Sequence, residues 1–281
     1  DHREIWLFGS ESIEVRYNAG NPDFPFERIN GAFLEHGCAA AHSVEKIDNT
    51  VFWLGKDDKG QGMVWRAEGY SPRRISTHEI ETQISNYGRI DDAVSWTYQQ
   101  DGHSFYVLSF PSENVTWCYD ASTDKWHQRA AFSNGEFQRH RVQCHAMFNG
   151  QHIGGDWENG RLYVLDMATY TDNGAALVRE IITPHFRSGK RAFYGELEVG
   201  IESGVGLTTG QGSDPKISLS ISDDGGRTWG SWRTTPIGKL GTYLTRAVFR
   251  RLGSGYQKAF KLRISDPVKV AITGARVEFT E

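Results

Sequence analysis

Hydrophobic and polar positions alternate along short stretches of this chain, and one two-strand pattern occurs four times. In each copy a run of β-branched and aromatic residues crosses a polar turn into a second such run, which is typical of paired antiparallel strands. The first strands carry Trp6, Phe52, Phe105 and Ile153 at matching positions, which places the copies 46, 53 and 48 residues apart. A four-stranded propeller blade repeats at roughly 40 to 50 residues, so the pattern predicts four blade-like repeats.

A helical period interrupts the strands once. Ile80 and Ile84 would share one face of a helix, and Ser76, followed three residues later by Glu79, matches the sequence of a capping box. The spacing predicts a short amphipathic helix over residues 76–87.

The pattern changes after residue 174, where longer alternating strands replace the short hairpins. A glycine-rich, polar stretch at 204–213 separates two of these strands and predicts a surface loop. We place a boundary near residue 176. Blade repeats with the short helix occupy residues 1–176, and an antiparallel β region, expected to form a sandwich or further blades, occupies residues 177–281.

Composition agrees with an all-β protein. Of the 281 residues, 31 are glycine and 12% are aromatic, which suits many tight turns between strands. The predicted fold class is therefore all-β, with β-propeller-like antiparallel blades and a C-terminal antiparallel β-sandwich-like region. No run of 18 apolar residues is present, so no membrane-spanning helix is expected. The chain opens on a strand pattern without an apolar leader, from which we expect it to be part of a longer protein.

One local motif stands out in the second region, the run Ser-Asp-Asp-Gly-Gly-Arg-Thr-Trp. It matches the Asp box S-x-D-x-G-x-T-W of sialidases and many other propeller proteins, through Ser222, Asp224, Gly226, Thr228 and Trp229. Asp224 can accept hydrogen bonds from the N–H groups of a tight turn, Gly226 can take a positive φ, and Trp229 can cover the hairpin root. The motif predicts a structural turn.

Because the same motif decorates sialidases, a glycan-binding or sialidase-like propeller is the alternative. A sialidase requires three arginines for the substrate carboxylate, a Tyr nucleophile with a Glu partner, and an Asp acid, and no set of residues in the chain can be assigned to these roles. The nucleophile elbow, the Walker loop and the H-E-x-x-H motif are also absent. No catalytic residue is therefore predicted.

Histidine and cysteine fall close together twice, which raises the question of a metal site. The two groups are His36, Cys38 and His42, and His140, Cys144 and His145. Structural zinc sites use paired short spacings such as C-x2-C, and neither group contains such pairs. We expect buried cysteine and hydrogen-bonded histidine here, with no metal and no cofactor. The three cysteines are far apart and odd in number, which argues against a disulfide framework.

The net charge of −4 is spread unevenly. Residues 227–281 hold 11 Lys or Arg against 3 Asp or Glu, a balance of +8, so residues 1–226 carry −12. The cations predicted to form an interface are Arg246, Arg250, Arg251, Lys258, Lys261 and Arg263. Such a cluster suits DNA phosphates, an acidic protein surface, or the solvated face of an edge strand defended by charge, and the pattern leaves all three open.

The stretch 249–275 carries a resemblance to a known family. It reads FRRLGSGYQKAFKLRISDPVKVAITGA. The alternation of Leu262 and Ile264 before Asp266-Pro267, and of Val268, Val270 and Ile272 after it, predicts two strands that turn at that corner. This run resembles the C-terminal end of the packaged-DNA stabilisation proteins of short-tailed bacteriophages, which are tail hub or head-completion components. The stretch 73–81, RRISTHEIE, is similar to the same family.

The resemblance implies a non-enzymatic structural protein of the virion, located at the portal exit of a phage tail, where it helps retain packaged DNA. It also implies partners among the other tail, neck and portal-associated proteins, a ring-like homo-oligomer, and the host bacterial cytoplasm as the place of assembly. Packaged DNA is a further candidate partner. Members of the family carry an additional N-terminal segment without a counterpart here, from which we expect an incomplete propeller or a fragment.

Overall fold

The computed structural model describes residues 4–57 and 59–280, and its secondary structure is almost entirely antiparallel β-sheet. The predicted all-β class, with blade-like sheets before a C-terminal sandwich, is confirmed. The chain divides after Leu165 into two compact units. The predicted boundary near residue 176 therefore lies about ten residues inside the second unit, which begins at Asp166.

The first unit is a succession of small antiparallel sheets, each formed by strands consecutive in the chain. The first sheet contains β1 (Glu4–Phe8), β2 (Ile13–Asn18) and β3 (Phe26–Leu34). A 3-10 turn (Ala41–Ser43) precedes the second, which contains β4 (Glu45–Ile47), β5 (Thr50–Lys56), β6 (Gly62–Glu68) and β7 (Ser71–Arg74). The third contains β8 (Val94–Gln100), β9 (His103–Phe110), β10 (Val115–Asp120) and β11 (Lys125–Gln128). A hairpin of β12 (Ala130–Ser133) and β13 (Glu136–Arg139) leads to the last sheet, β14 (Val142–Phe148), β15 (Gln151–Asp156) and β16 (Leu162–Val164).

Each of the four predicted repeats lies in a different sheet. The residues that mark them fall in β1, β5, β9 and β15, and each of these strands pairs with the next strand of the chain. The turns use residues that tolerate a left-handed backbone, as at Asp48 and Asn49 between β4 and β5, with φ of 50° and 57°. The predicted repeat is thus confirmed as a series of four hairpins.

In the first unit, one strand can pack against other sheets on both of its faces, with alternate residues pointing to opposite sides. In β5, Phe52 and Leu54 join a core cluster with Tyr106 of β9, whereas Trp53 joins a separate cluster with Ile13 of β2. The rings of Phe52 and Tyr106 stack with centroids 5.3 Å apart. Because both faces of β5 are covered, its sequence is a continuous apolar run and not an alternation. This stacking of sheets is what blade-like repeats require.

The α-helix of the first unit, α1 (His78–Ser85), is shorter at both ends than predicted. The predicted capping box does not form, since Thr77 is the N-cap residue and its side chain makes no capping bond. The Ser76 hydroxyl instead accepts the N–H of Val64 (3.0 Å) and donates to the carboxylate of Glu81 (2.5 Å). Glu81 is fully buried. Because the Ser76 hydroxyl binds Glu81, it is not available to cap the helix.

The second unit begins with a small hairpin, β17 (Thr171–Asp172) and β18 (Ala175–Ala176), and continues into a seven-stranded antiparallel arrangement. Its strands are β19 (Arg179–Ile182), β20 (Phe186–Ile201), β21 (Lys216–Ser222), β22 (Arg233–Pro236), β23 (Ala247–Arg250), β24 (Ser254–Ile264) and β25 (Ile272–Thr280).

Two long strands, β20 and β24, connect the two halves of the second unit. The end of β24 pairs with β19 and β21, while the later part of β20 pairs with β23 and β25. The first residues of β20 and β24 pair with each other. Leu197 and Phe249 from one half and Leu219 and Leu262 from the other belong to one core cluster, as in a sandwich of two packed sheets.

The corner after β24 is longer than the sequence indicated. β24 ends at Ile264 and β25 begins at Ile272, so Val268 and Val270 lie in the connection and not in a strand. Val268 is nevertheless buried in the core. The alternation at Val268 and Val270 therefore reflects burial, and the predicted strand begins later than expected, at Ile272.

Candidate interface site

The turn that follows β21 is organised by a single carboxylate. Asp224 accepts hydrogen bonds from the N–H groups of Arg227 (3.0 Å) and Thr228 (2.9 Å) and from the Thr228 hydroxyl (2.6 Å). The Ser222 hydroxyl donates to Asp224 (2.7 Å) and accepts the N–H of Gly226 (2.8 Å), whose φ is +87°. Both carboxylate oxygens are thus engaged within the turn.

We expect Asp224→Asn to lower the free energy of unfolding at pH 7. The Thr228 hydroxyl and the turn N–H groups hold the pKa of Asp224 well below its usual range. A depressed carboxyl pKa contributes stability above the unfolded-state value of about 3.9 and loses it as the pH falls below that value. Urea unfolding at pH 7 and at about pH 3 should therefore show a gap between wild type and variant that narrows in acid.

Asp214 provides the control for this prediction because it is an exposed aspartate of the same unit. Asp214→Asn should leave the unfolding midpoint almost unchanged at both pH values. A gap for Asp224→Asn that stays constant down to pH 3 would contradict a role for the ionised carboxylate.

Trp229 of the turn belongs to a row of aromatic rings and cations that contact one another side by side. The half-buried Trp229 ring lies 4.3 Å from the ammonium of Lys261, and the Trp232 ring lies 4.5 Å from the guanidinium of Arg263. Glu180 on β19 accepts from Arg263 at 2.6 Å and lies 3.6 Å from Lys261. These two predicted interface cations are therefore already paired on their own sheet: they share the carboxylate of Glu180, and each contacts an aromatic face of its own.

Two further predicted interface cations are paired on the other half of the sandwich. Arg246 binds Glu198 through two hydrogen bonds of 2.6 and 2.7 Å, and Arg250 pairs with Glu196 at 2.9 Å. Arg251 is exposed and takes a left-handed φ of 57° at the turn into β24. Most of the basic segment is therefore neutralised by acids of the same unit.

Lys258 requires a correction, because it does not lie on the surface. Its side chain is 1% exposed, points to the face of β24 that also carries Phe260 and Leu262, and lies with its ammonium 5.4 Å from the ring of Tyr194. Its ion-pair partner is Asp223. Strand alternation places residue 258 on the core face, so Lys258 cannot be part of an exposed interface.

The structure brings a different set of cations together on the surface, at residues 187–191. Arg187 and Arg191 line a cavity of about 690 Å³ with Tyr256 of β24, and Lys190 lies exposed between them. Sequence reasoning missed this site because it weighed charge over long segments. The available signal was the run Arg-Ser-Gly-Lys-Arg at 187–191, three cations in five residues without an acid.

The first unit has a cavity of about 510 Å³ of a different kind. Tyr98, His145 and His152 line it together with the Asp48–Asn49 turn. The two imidazoles share a hydrogen bond of 3.0 Å between Nε2 of His145 and Nδ1 of His152. Burial, followed by the neighbouring His152, lowers the pKa of His145. The neutral form of the His145 imidazole is therefore favoured.

Metal sites require particular ligand types, and glycosidases require particular carboxylates in a cavity. Within residues 4–57 and 59–280, no three His, Cys, Asp or Glu side chains are arranged to hold a metal ion, and Cys38, Cys118 and Cys144 are free thiols. Each of the two cavities is lined by one carboxylate, Asp48 or Asp223, whereas most glycosidases need two. No helix in the described part of the chain is long and apolar enough to span a bilayer.

Two family models match the chain, one over each region. The model described as "Bacteriophage P22 Gp10, beta-propeller" matches residues 1–170, and the model described as "Bacteriophage P22 Gp10, beta-sandwich" matches residues 178–280. No curated protein sequence matches the chain.

Several solved structures are similar at low levels. An exo-β-1,3-galactanase from Phanerochaete chrysosporium has 11% identity and a TM-score of 0.30, over 96% of this chain and 75% of its own. An arabinoxylan arabinofuranohydrolase from Bacillus subtilis has 10% identity and a TM-score of 0.18, over 99% of this chain and 93% of its own. A fructofuranosidase from Schwanniomyces occidentalis has 10% identity and a TM-score of 0.21, over 99% and 95%. Similarity at these scores carries no argument about activity.

Proposed function

Because the chain belongs to the bacteriophage P22 Gp10 family, we propose that it is a structural tail protein that helps close the portal exit and retain packaged DNA. The resemblance predicted from residues 73–81 and 249–275 is confirmed by the same matches. One observation carries the proposal: a propeller match over residues 1–170 is followed by a sandwich match over residues 178–280, in a single chain.

The proposed role is one of assembly and not of catalysis. Its partners are the other tail, neck and portal-associated proteins, and the protein acts as a ring-like homo-oligomer that completes the head. It assembles in the host bacterial cytoplasm and remains in the virion. The chemistry of the site supports this role, because both oxygens of Asp224 serve their own turn and each cavity is lined by a single carboxylate.

A glycan-binding propeller is the second candidate, favoured by the Asp-box sequence at 222–229. It predicts a rise in melting temperature with a panel of sialosides, because a ligand that binds only the folded state stabilises it. The structural role predicts no rise and no hydrolysis with the same panel. A reproducible rise in melting temperature, or release of sialic acid, would favour the hypothesis of a glycan-binding propeller.

A complementation experiment tests the proposed function. A phage whose gene for this chain is interrupted by a stop codon is grown with and without the protein supplied from a plasmid. We expect particles made without it to lose at least about nine-tenths of their nuclease-protected genome, and supplied protein to restore protection. Full protection without the protein would overturn the role in DNA retention, whereas electron microscopy of tails tests separately whether the protein is a tail component.

A further inference from the structure

A register irregularity in β20 falls on a cationic segment. Arg187 pairs with Gln257 and pairing with β24 resumes at Ala192 with Gly255, so residues 188–191 stand opposite the single residue Tyr256. A bulge of this kind interrupts the ladder locally and bends the strand. The segment 187–191, called here the cationic bulge, lies at the edge of the 690 Å³ cavity, which Arg187 and Arg191 line.

The charges of the cationic bulge are not balanced by the protein. Among the described residues, Arg187, Lys190 and Arg191 make no ion pair, and the Arg191 guanidinium donates to the hydroxyl of Ser254 (3.2 Å). This contrasts with Arg246, Arg250, Lys261 and Arg263, all of which are paired with glutamates. Three unpaired cations within five residues repel one another, and an anionic ligand would relieve that repulsion.

The one carboxylate at the cavity does not offset these cations. Asp223 is engaged by the ammonium of Lys258, whose side chain is 1% exposed, so the pair adds no net charge. Removing Lys258 from water is costly unless a negative charge stays close to it. The cavity edge therefore keeps the full positive charge of the bulge.

An exposed aromatic ring lies beside these cations. Tyr256 is 64% exposed at the cavity, and Phe193, which follows the bulge, is 68% exposed. Arginine forks match phosphate oxygens in geometry, and an exposed ring next to cations provides a stacking surface for an unpaired base. An acidic protein surface could use the same charges, and polyglutamate represents that partner in the test below.

We propose that the cationic bulge and Tyr256 form a binding site for single-stranded nucleic acid. Arg187, Lys190 and Arg191 contact successive phosphate groups, and the ring of Tyr256 stacks on one base. This inference goes beyond the proposed function and does not depend on it, because it concerns the isolated protein.

The test is fluorescence anisotropy of a labelled oligothymidylate of about 20 nucleotides, titrated with the purified chain between about 50 and 200 mM NaCl. Three phosphate contacts predict a slope of log K against log salt of about −2, and Arg187→Gln with Arg191→Gln should reduce it to about −0.7 and weaken binding roughly tenfold or more. Tyr256→Ala should weaken binding roughly 5- to 100-fold without changing the slope, and Tyr256→Phe should bind as wild type.

The control is the double variant Lys216→Gln with Lys239→Gln, which removes two exposed cations of the same unit outside the cavity. It should bind as wild type, and Lys190→Gln alone serves as a milder variant if the double arginine variant melts early.

The inference is overturned if wild type does not bind, if the control loses as much affinity as the arginine variant, or if duplex DNA or polyglutamate binds as tightly as the single strand. Normal binding by the purified chain, together with full genome protection in particles made without it, would leave this inference standing and remove only the proposed function.

Discussion

Replacing Arg74 by methionine is expected to cost about 3 to 5 kcal/mol of folding free energy. The carboxylate of Glu81 on α1 is fully buried, and it is held by the Arg74 guanidinium at the end of β7 and by the Ser76 hydroxyl. Without the guanidinium, a buried charge would keep a single neutral donor, which does not offset the loss of hydration. Urea unfolding at pH 7 measures the loss.

The neighbouring Arg73 supplies the matched control. Its side chain is as exposed as that of Arg74, but its partner at 2.8 Å, Glu68, is half exposed whereas Glu81 is buried. Arg73→Met should therefore cost less than about 1 kcal/mol. The double variant Arg74→Met with Glu81→Met should recover most of the loss, because it leaves no unpaired charge. Equal losses at the two arginines, or no recovery in the double variant, would show that Arg74 does not act through Glu81.

Stability is expected to fall by about 2 to 3 kcal/mol between pH 7 and pH 4 through His140 alone. Burial, followed by the positive charge of Arg129, lowers the pKa of His140 to about 4. Its Nδ1 accepts the N–H of Val142 (3.2 Å), a bond that requires an unprotonated nitrogen. The unfolded chain takes up this proton near pH 6.5 and the folded chain only near pH 4, so stability is complete above 6.5 and is lost as the pH falls through that window.

His140→Asn tests this expectation, because its amide oxygen can accept the same N–H but cannot be protonated in this range. Thermal melts from pH 7 to pH 4 should be flatter for this variant than for wild type. His78→Asn on the exposed start of α1 should reproduce the wild-type slope. A His140→Asn variant with an unchanged slope would mean that other groups cause the acid sensitivity.

The strands and hairpins could be predicted from the sequence because their signals are local. Alternation of apolar residues and turn-forming Asp, Asn and Gly act over a few residues, so the hairpins β1–β2, β5–β6, β9–β10 and β15–β16 were all predicted and form. The turn at 222–229 is similar, since Asp224 binds partners no more than four residues away. An apolar residue can indicate a strand or only burial in a loop, and the sequence alone does not distinguish the two. Val268 was predicted to lie in a strand, but it is buried and lies in the connection between β24 and β25.

The candidate interface shows the limit of counting charges. Arg246 and Arg263 look free in the sequence, but their glutamate partners lie 48 and 83 residues away in the chain. The capping box was predicted wrongly for the same reason, namely that the partners lie outside the local motif. The Ser76 hydroxyl hydrogen-bonds the N–H of Val64 and the buried carboxylate of Glu81. Lys258 could have been assigned to the core by its spacing from Phe260 and Leu262, had alternation been weighed before charge.

By itself the sequence determined the all-β class, the four hairpin repeats, the order of a blade region and a sandwich region, and the family resemblance, since all of these are written in spacings and motifs within short stretches. Only the tertiary structure decided which cations are neutralised and which remain free. Charge pairing depends on distances of a few ångströms between strands that are far apart in the chain. Pairing of β19 and β20 with β24 therefore neutralises Arg263 and leaves the cationic bulge at 187–191 unbalanced.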